Sequence, residues 1–174
     1  PELLREEEPW VPREKLEIWE SAPALHEAVS TWVVFSDLHA SQRTLEQCRH
    51  TLRRVHEEAR KRQAGVLFLG DFWHVRGWLR VDILNELMEE LSLWEEDVPV
   101  VMITGNHDQV DVGGQTHSLT PLVFALGGPR RCVVLDRPSY FLEALWLPFR
   151  RDAQVYQDAV LQVKESELQV KAVF

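Results

Sequence analysis

The chain has 174 residues, 45% of them apolar and 27% charged, with a net charge of −9 at pH 7. This is the composition of a soluble globular protein, long enough for one domain with a substantial core. It excludes a basic coating protein for nucleic acid and contains no run near the roughly 20 apolar residues that span a membrane, yet it leaves room for a nuclease, because bound metals and local arginines can reverse the field at a site.

Residues 1–30 read differently from the rest. The chain opens on Pro1 without an initiator Met, a start compatible with trimming or removal of a presequence, and no targeting peptide can be read from what remains. Glu6-Glu7-Glu8, Pro9, Pro12 and Pro23 break up any long helix. Trp10, Leu16, Ile18, Trp19 and Leu25 keep no sustained period. We treat 1–30 as an added segment, either a tail packed on its own domain or a docking arm anchored by tryptophans.

Residues 32–36 form the first strand. Ser41 or Thr44 can cap the helix that follows. Its apolar positions Leu45, Cys48, Leu52, Val55 and Ala59 recur at three and four residues, so one stripe faces a sheet. Its outer face carries Arg49, Arg53, Arg54, Arg60, Lys61 and Arg62, a solvated face or a track for a phosphate backbone. Gln63-Ala64-Gly65 ends the helix, and 66–69 is the second strand. Residues 81–95 are helical, with Val81, Leu84, Leu87, Met88, Leu91 and Trp94 in the core. Asp97-Val98-Pro99 turns into a third strand, 100–104. A short helix at 118–126 ends at Gly127-Gly128-Pro129. Three β-like runs follow, 131–135, 139–143 and 144–147, then a helix at 152–163 and a strand at 169–174. Cys48 and Cys132 are too few for a disulfide framework and read as buried thiols, which favours an intracellular, reducing compartment.

Three of these strands run into chemistry. Val33-Val34-Phe35 leads to Asp37-Leu38-His39, Val66-Leu67-Phe68-Leu69 to Gly70-Asp71, and Val100-Val101-Met102-Ile103-Thr104 to Gly105-Asn106-His107-Asp108. Asp37, Asp71 and Asn106 are spaced at the length of a βαβ unit. In a parallel sheet the C-terminal strand ends share one edge, where ligands bind, so the three motifs should converge. Asp37 and His39, two apart in an extended segment, would point to the same side. Asp71 can bridge two cations, and Asn106 offers a neutral carbonyl oxygen. A mixed set of imidazole, carboxylate and amide suits manganese, iron or zinc better than calcium. Two such ions about 3.5–4 Å apart would clamp a phosphoryl displacement.

The three motifs, in this order and spacing, resemble the first three of the calcineurin-like metallophosphoesterases. The run Leu69-Gly70-Asp71-Phe72-Trp73-His74 is similar to the SbcD-type DNA repair nucleases. The resemblance spans roughly 32–174 and implies a four-layer α/β/β/α sandwich over 31–174. Carried over by position, Asp37 and His39 would bind one metal, Asp71 both, and Asn106 the other. His107 would protonate the leaving oxygen and Asp108 would orient His107. His74 would touch the scissile phosphate, with Arg76 and Arg80 as further phosphate contacts. The family completes its site with a later histidine and a Gly-His-X-His motif. Neither is present here, so the domain is expected to be C-terminally truncated, or its site completed by another chain.

The resulting expectation is metal-dependent phosphodiester hydrolysis, DNA as substrate, and manganese as the favoured cation with Fe2+ or Zn2+ as alternatives. A homodimer and an SMC-like coiled-coil ATPase partner are implied by the same resemblance. Two other readings stay open: a small-molecule phosphoesterase acting on nucleotides, and a catalytically incomplete docking module in a larger assembly.

Overall fold

A computed structural model describes residues 10–174. The Glu6-Glu7-Glu8 run and Pro9 lie outside the described residues. The elements, in order, are β1 (Glu17–Ile18), α1 (Ala24–Glu27), β2 (Trp32–Phe35), α2 (Leu45–Arg62), β3 (Gly65–Phe68), α3 (Val81–Ser92), β4 (Val100–Ile103), α4 (Thr120–Ala125), β5 (Cys132–Leu135), β6 (Ser139–Phe141), β7 (Ala144–Trp146), α5 (Gln154–Glu165) and β8 (Ala172–Val173). They make a mixed α/β fold with two four-stranded sheets, ordered β2-β3-β4-β5 and β1-β6-β7-β8. Every pairing in the first sheet is parallel. In the second, β6 and β7 form an antiparallel hairpin, while β1 and β8 add in parallel on either side.

The two-residue side-chain period of a strand decides what each sheet face covers. On β3 and β4 every residue is buried, as expected for strands covered on both faces. Val66, Phe68, Val100, Met102 and Cys132 join the α2, α3 and α4 side chains in one core. Leu67, Val101, Ile103, Val133 and Leu135 face the other way and pack on Phe141, Ala144 and Trp146 of the second sheet. A third cluster, Leu16, Leu145, Ala159 and Val163, holds α5 and the N-terminal segment on the far side of that sheet.

Helix α2 buries the stripe read from its spacing, Cys48, Leu52, Val55 and Ala59. Its arginine-rich face is taken up by carboxylates. Arg49 and Arg53 both reach the buried Glu90 of α3, Arg60 pairs with Glu95, and Arg62 pairs with Glu58. The helix stops where Gln63 turns left-handed, φ 51°, and its N–H meets the carbonyls of Ala59 and Arg60. Thr44 sits at the N-cap, but its hydroxyl donates to the carbonyl of His39 at 3.0 Å and makes no capping bond.

Residues 10–30 are woven into the domain. Leu16 is buried, β1 pairs with β6, and Glu14 holds the buried Arg150. His26 is fully buried, its Nε2 3.1 Å from the carbonyl of Val100. Cys48 and Cys132 are free and buried. No helix among the described residues is long and apolar enough to cross a membrane.

Candidate metal centre

The parallel order β2-β3-β4 puts the three motif loops side by side at one sheet edge. The pairing of β2 with β3 continues beyond the strands. Leu69 N donates to Phe35 O at 2.9 Å, Asp37 N to Gly70 O at 3.0 Å, His39 N to Asp71 O at 3.0 Å and Ala40 N to Phe72 O at 2.8 Å. This ladder does not stay extended, contrary to the expectation for Asp37-Leu38-His39. Asp37, His39 and Asp71 all have positive φ, 55°, 45° and 63°. Non-glycine residues rarely adopt that region, and it concentrates where surrounding structure fixes a functional loop.

The side chains nonetheless converge. Ligand atoms of Asp37, His39 and Asp71 all lie within 4.8 Å of one another. His39 Nε2 is 3.6 Å from Asp37 Oδ1 and 4.0 Å from Asp71 Oδ2. Asn106 joins them: one atom of its side-chain amide lies 2.9 Å from Asp71 Oδ2 and the other 2.7 Å from Arg76 Nη2; with the nitrogen toward Asp71 both contacts are hydrogen bonds, and with the oxygen toward Asp71 the amide presents the acceptor a shared cation would need. Two carboxylates, an imidazole and an amide on one edge fit a divalent transition-metal cation. Ser36 adds a short hydrogen bond to the other oxygen of Asp37.

Two glycines make this spacing possible. A Cβ on Gly105 would lie 2.2 Å from Asp71 Oδ1, and one on Gly70 would lie 2.6 Å from the Gly105 nitrogen. Gly70 also has φ 97°. Only residues without a Cβ allow the loops after β3 and β4 to touch in this way.

Three histidines share the edge. The His107 ring centroid is 4.8 Å from that of His39 and 6.2 Å from that of His74. His107 N donates to Asp71 Oδ1 at 2.8 Å. Its Nδ1 lies 2.7 Å from the His74 carbonyl. A carbonyl only accepts, so Nδ1 carries the proton of that bond and Nε2 is the free ring nitrogen.

Asp108 does not do what the sequence suggested. Its carboxylate makes no bond to His107. Oδ2 accepts from Asp71 N at 2.7 Å and Gly105 N at 2.9 Å, and Oδ1 accepts from Phe72 N at 2.9 Å. The side chain is fully buried. Burial pushes its pKa up to about 6, against the pull of the three N–H groups. Asp108 therefore ties the loop after β3 to the loop after β4, and the His74 carbonyl orients His107 in its place.

The two arginines of the 75–80 loop part company. Arg76 enters the edge through Asn106. Arg80 is held by Asp82 at 2.7 Å and by Gln42 at 2.8 Å, so its guanidinium is engaged away from the motif residues. Sequence reading also missed a polar hub behind the edge. Gln109 Nε2 donates to Phe149 O at 2.6 Å and Thr104 Oγ1 at 3.3 Å, beside the buried Arg150. The adjacent polar run Gly105–Gln109 was visible, but partners 40 residues away were not.

Residues 31–158 match the family model of the calcineurin-like phosphoesterases. The chain belongs to that family, whose members hydrolyse phosphoesters with divalent metal ions. No curated protein matches the chain.

Proposed function

We propose that this chain is a phosphodiesterase of the nucleic-acid-cleaving, SbcD-like branch, using two divalent cations, with manganese the favoured one. The observation that carries this reading is the convergence of Asp37, His39 and Asp71 within 4.8 Å, with the Asn106 amide alongside. Asp37 and His39 would hold one cation, Asp71 would share both, and Asn106 would hold the other. Bound there, the cations would polarise the phosphoryl oxygens and activate the attacking water. The three core clusters support the four-layer sandwich of this family as the scaffold.

The remaining work falls to the chain itself. His107, pinned at Nδ1 by the His74 carbonyl, presents Nε2 to the leaving oxygen and in its protonated form delivers the proton. His74 and Arg76, on one loop after β3, would contact the phosphate. Asp108 supports this arrangement by fixing the loops, as a positioning residue.

The test is hydrolysis of bis(p-nitrophenyl) phosphate and of a thymidine dinucleotide with and without Mn2+, in wild type and Asp71→Asn. We expect metal-dependent turnover that falls by about a hundredfold or more in the variant, since a lost ligand should cost at least as much as a lost outer partner. Metal binding and turnover unchanged in Asp71→Asn would refute the assignment.

A further inference from the structure

We infer that Arg150 is a positioning residue for the metal edge, acting through the Phe149 backbone on both ends of the loop Gly105–Asp108. Its effect on turnover rests on the phosphodiesterase reading above. The Phe149 N–H donates to the Thr104 carbonyl at 2.9 Å. The Phe149 carbonyl accepts from Gln109 Nε2 at 2.6 Å, and the same amide donates to Thr104 Oγ1 at 3.3 Å. Thr104 directly precedes the loop and Gln109 directly follows it. The backbone of one residue therefore fastens both ends of the loop that carries Asn106 and His107.

Arg150 holds that backbone in place. Its Nη1 donates to the Phe149 carbonyl at 2.9 Å and its Nη2 to the Asp136 carbonyl at 2.5 Å. Nε and Nη2 form a fork on the two oxygens of Glu14, at 2.5 and 3.0 Å. The Arg150 side chain is only 3% exposed. Desolvating an ion pair largely offsets its attraction, and apolar residues of similar volume are often as stable. What the guanidinium adds is a rigid set of donor directions. Here they join the N-terminal segment, the turn after β5 and the segment after β7.

The network supports the site without entering it. Thr104, Gln109 and Arg150 are all buried, so they act on the loop and not on substrate. A Cβ on Gly114 would lie 2.5 Å from Arg150 Nη1 and 2.7 Å from Gln109 Nε2, so the chain after Gln109 folds back onto the same two side chains. Asp108 fixes the loop from within, to the loop after β3. Phe149 and Arg150 fix its ends. Asn106 and His107 are set between these two anchors.

The test separates positioning from plain stability. Arg150→Lys keeps the charge and loses the fork. Gln109→Met keeps the volume and loses both donor bonds. Arg131→Lys is the control, because Arg131 is also buried and donates to the carbonyls of Val98 and Glu95, ahead of β4 at the opposite end of the sheet. Amide hydrogen exchange is read at Gly105 and His107, whose N–H groups bond Asp108 and Asp71, against Leu67 and Val101 in the sheet. Global destabilisation speeds all four alike, whereas loosened loop ends speed the loop amides beyond the rest. We expect an excess of about tenfold at Gly105 and His107 in Arg150→Lys and Gln109→Met, and none in Arg131→Lys. In Mn2+ the same two variants should lose about tenfold in kcat for bis(p-nitrophenyl) phosphate, with KM within about threefold. Loop amides that track the sheet amides in both variants overturn the inference and leave Arg150 a structural ion pair. Should Arg150→Lys fail to fold, Gln109→Met decides by the same comparison. A wild type that hydrolyses no phosphodiester would refute the proposed function instead, and the exchange comparison, which needs no turnover, decides the role of Arg150 in either case.

Discussion

Gly105→Ala is the sharpest test of how the site is built, because it adds one methyl group and no charge. The added Cβ would sit 2.2 Å from Asp71 Oδ1 and 2.5 Å from the Asp71 nitrogen. Carbon and oxygen approach to roughly 3.3 Å at closest, so the two loops must separate by about 1 Å. Neither contact atom is the far end of a flexible chain. One is backbone, and the other is a carboxylate oxygen held by the His107 N–H at 2.8 Å. Overpacking of this kind costs about 1–3 kcal/mol, and losing a hydrogen bond to a charged group costs about 1.5–3 kcal/mol. The terms overlap, because one movement relieves the clash and breaks the bond, so we expect a net loss of about 2–4 kcal/mol. Displacing Asp71 by about 1 Å should also lower kcat on the order of a hundredfold. Urea denaturation gives the first number and Mn2+ calorimetry with turnover gives the second. Gly113→Ala is the control: its nearest neighbour would be Asp111 Oδ1 at 3.6 Å, and it should shift stability by less than about 0.5 kcal/mol. A Gly105→Ala protein as stable as that control, with wild-type metal affinity, would refute the reasoning.

Three further outcomes follow from particular contacts. Arg76→Ala should lower kcat/KM for phosphodiesters by about tenfold to a hundredfold, the worth of one charged hydrogen bond. Arg80→Ala, whose guanidinium is spent on Asp82 and Gln42, should leave it nearly unchanged; equal losses would show that both touch substrate. Burial holds the His26 pKa below its ordinary 6.5, against the Val100 carbonyl bond. The unfolded chain therefore binds more protons as pH falls through 6.5, and stability drops with it. His26→Phe should flatten part of the thermal-midpoint decline between pH 7.5 and about 5, and an unaltered pH profile would remove His26 from the account. The Arg53 hydrogen bond holds the Glu90 carboxyl below its ordinary 4.5, aided by Arg49 and opposed by burial. Its contribution is present above that value and lost as pH falls below it. Glu90→Gln should lessen the acid-side fall in urea midpoint, and an unchanged fall would count against the pair.

What the sequence made legible is what repeats locally. The apolar runs before Asp37, Asp71 and Asn106 became adjacent parallel strands because the two connections between them, α2 and α3, are amphipathic helices long enough for a crossover. The α2 stripe was readable because Cys48, Leu52, Val55 and Ala59 are buried by helical spacing alone. The β-like runs at 139–143 and 144–147 became β6 and β7 and the run at 131–135 became β5 of the first sheet, but the hairpin itself was not read, because its turn residues Leu142 and Glu143 both have positive φ, where glycine or asparagine would be expected. The two-residue strand β1 and the four-residue helix α1 carry no period to read. The site chemistry split along the same line. Residue types and spacing placed Asp37, His39 and Asp71 together. Whether Arg76 or Arg80 faced them depended on which carboxylates lay nearby. The pairing of Arg150 with Glu14 spans 136 residues, and only the folded chain brings them together.

Asp108 shows why adjacency in sequence misleads about partnership. Next to His107, it looked like the carboxylate that orients an imidazole, a role that would act on proton transfer and spare the fold. In the structure it accepts three backbone N–H groups from two loops. Asp108→Asn separates the two roles. The amide keeps the volume but replaces one acceptor oxygen with a donor. If that donor faces Phe72 N, one charge-assisted bond becomes a donor–donor contact. If it faces Asp71 N and Gly105 N, two bonds are lost. The first choice is the cheaper, and a buried unmet donor costs about 1–3 kcal/mol. We therefore expect a loss of stability in that range, with weaker Mn2+ binding because the Asp71 loop loosens. The imidazole bond to the His74 carbonyl is untouched by the change, so the pH dependence of kcat should keep its shape. A variant with wild-type stability and a displaced pH profile would restore Asp108 as the partner of His107.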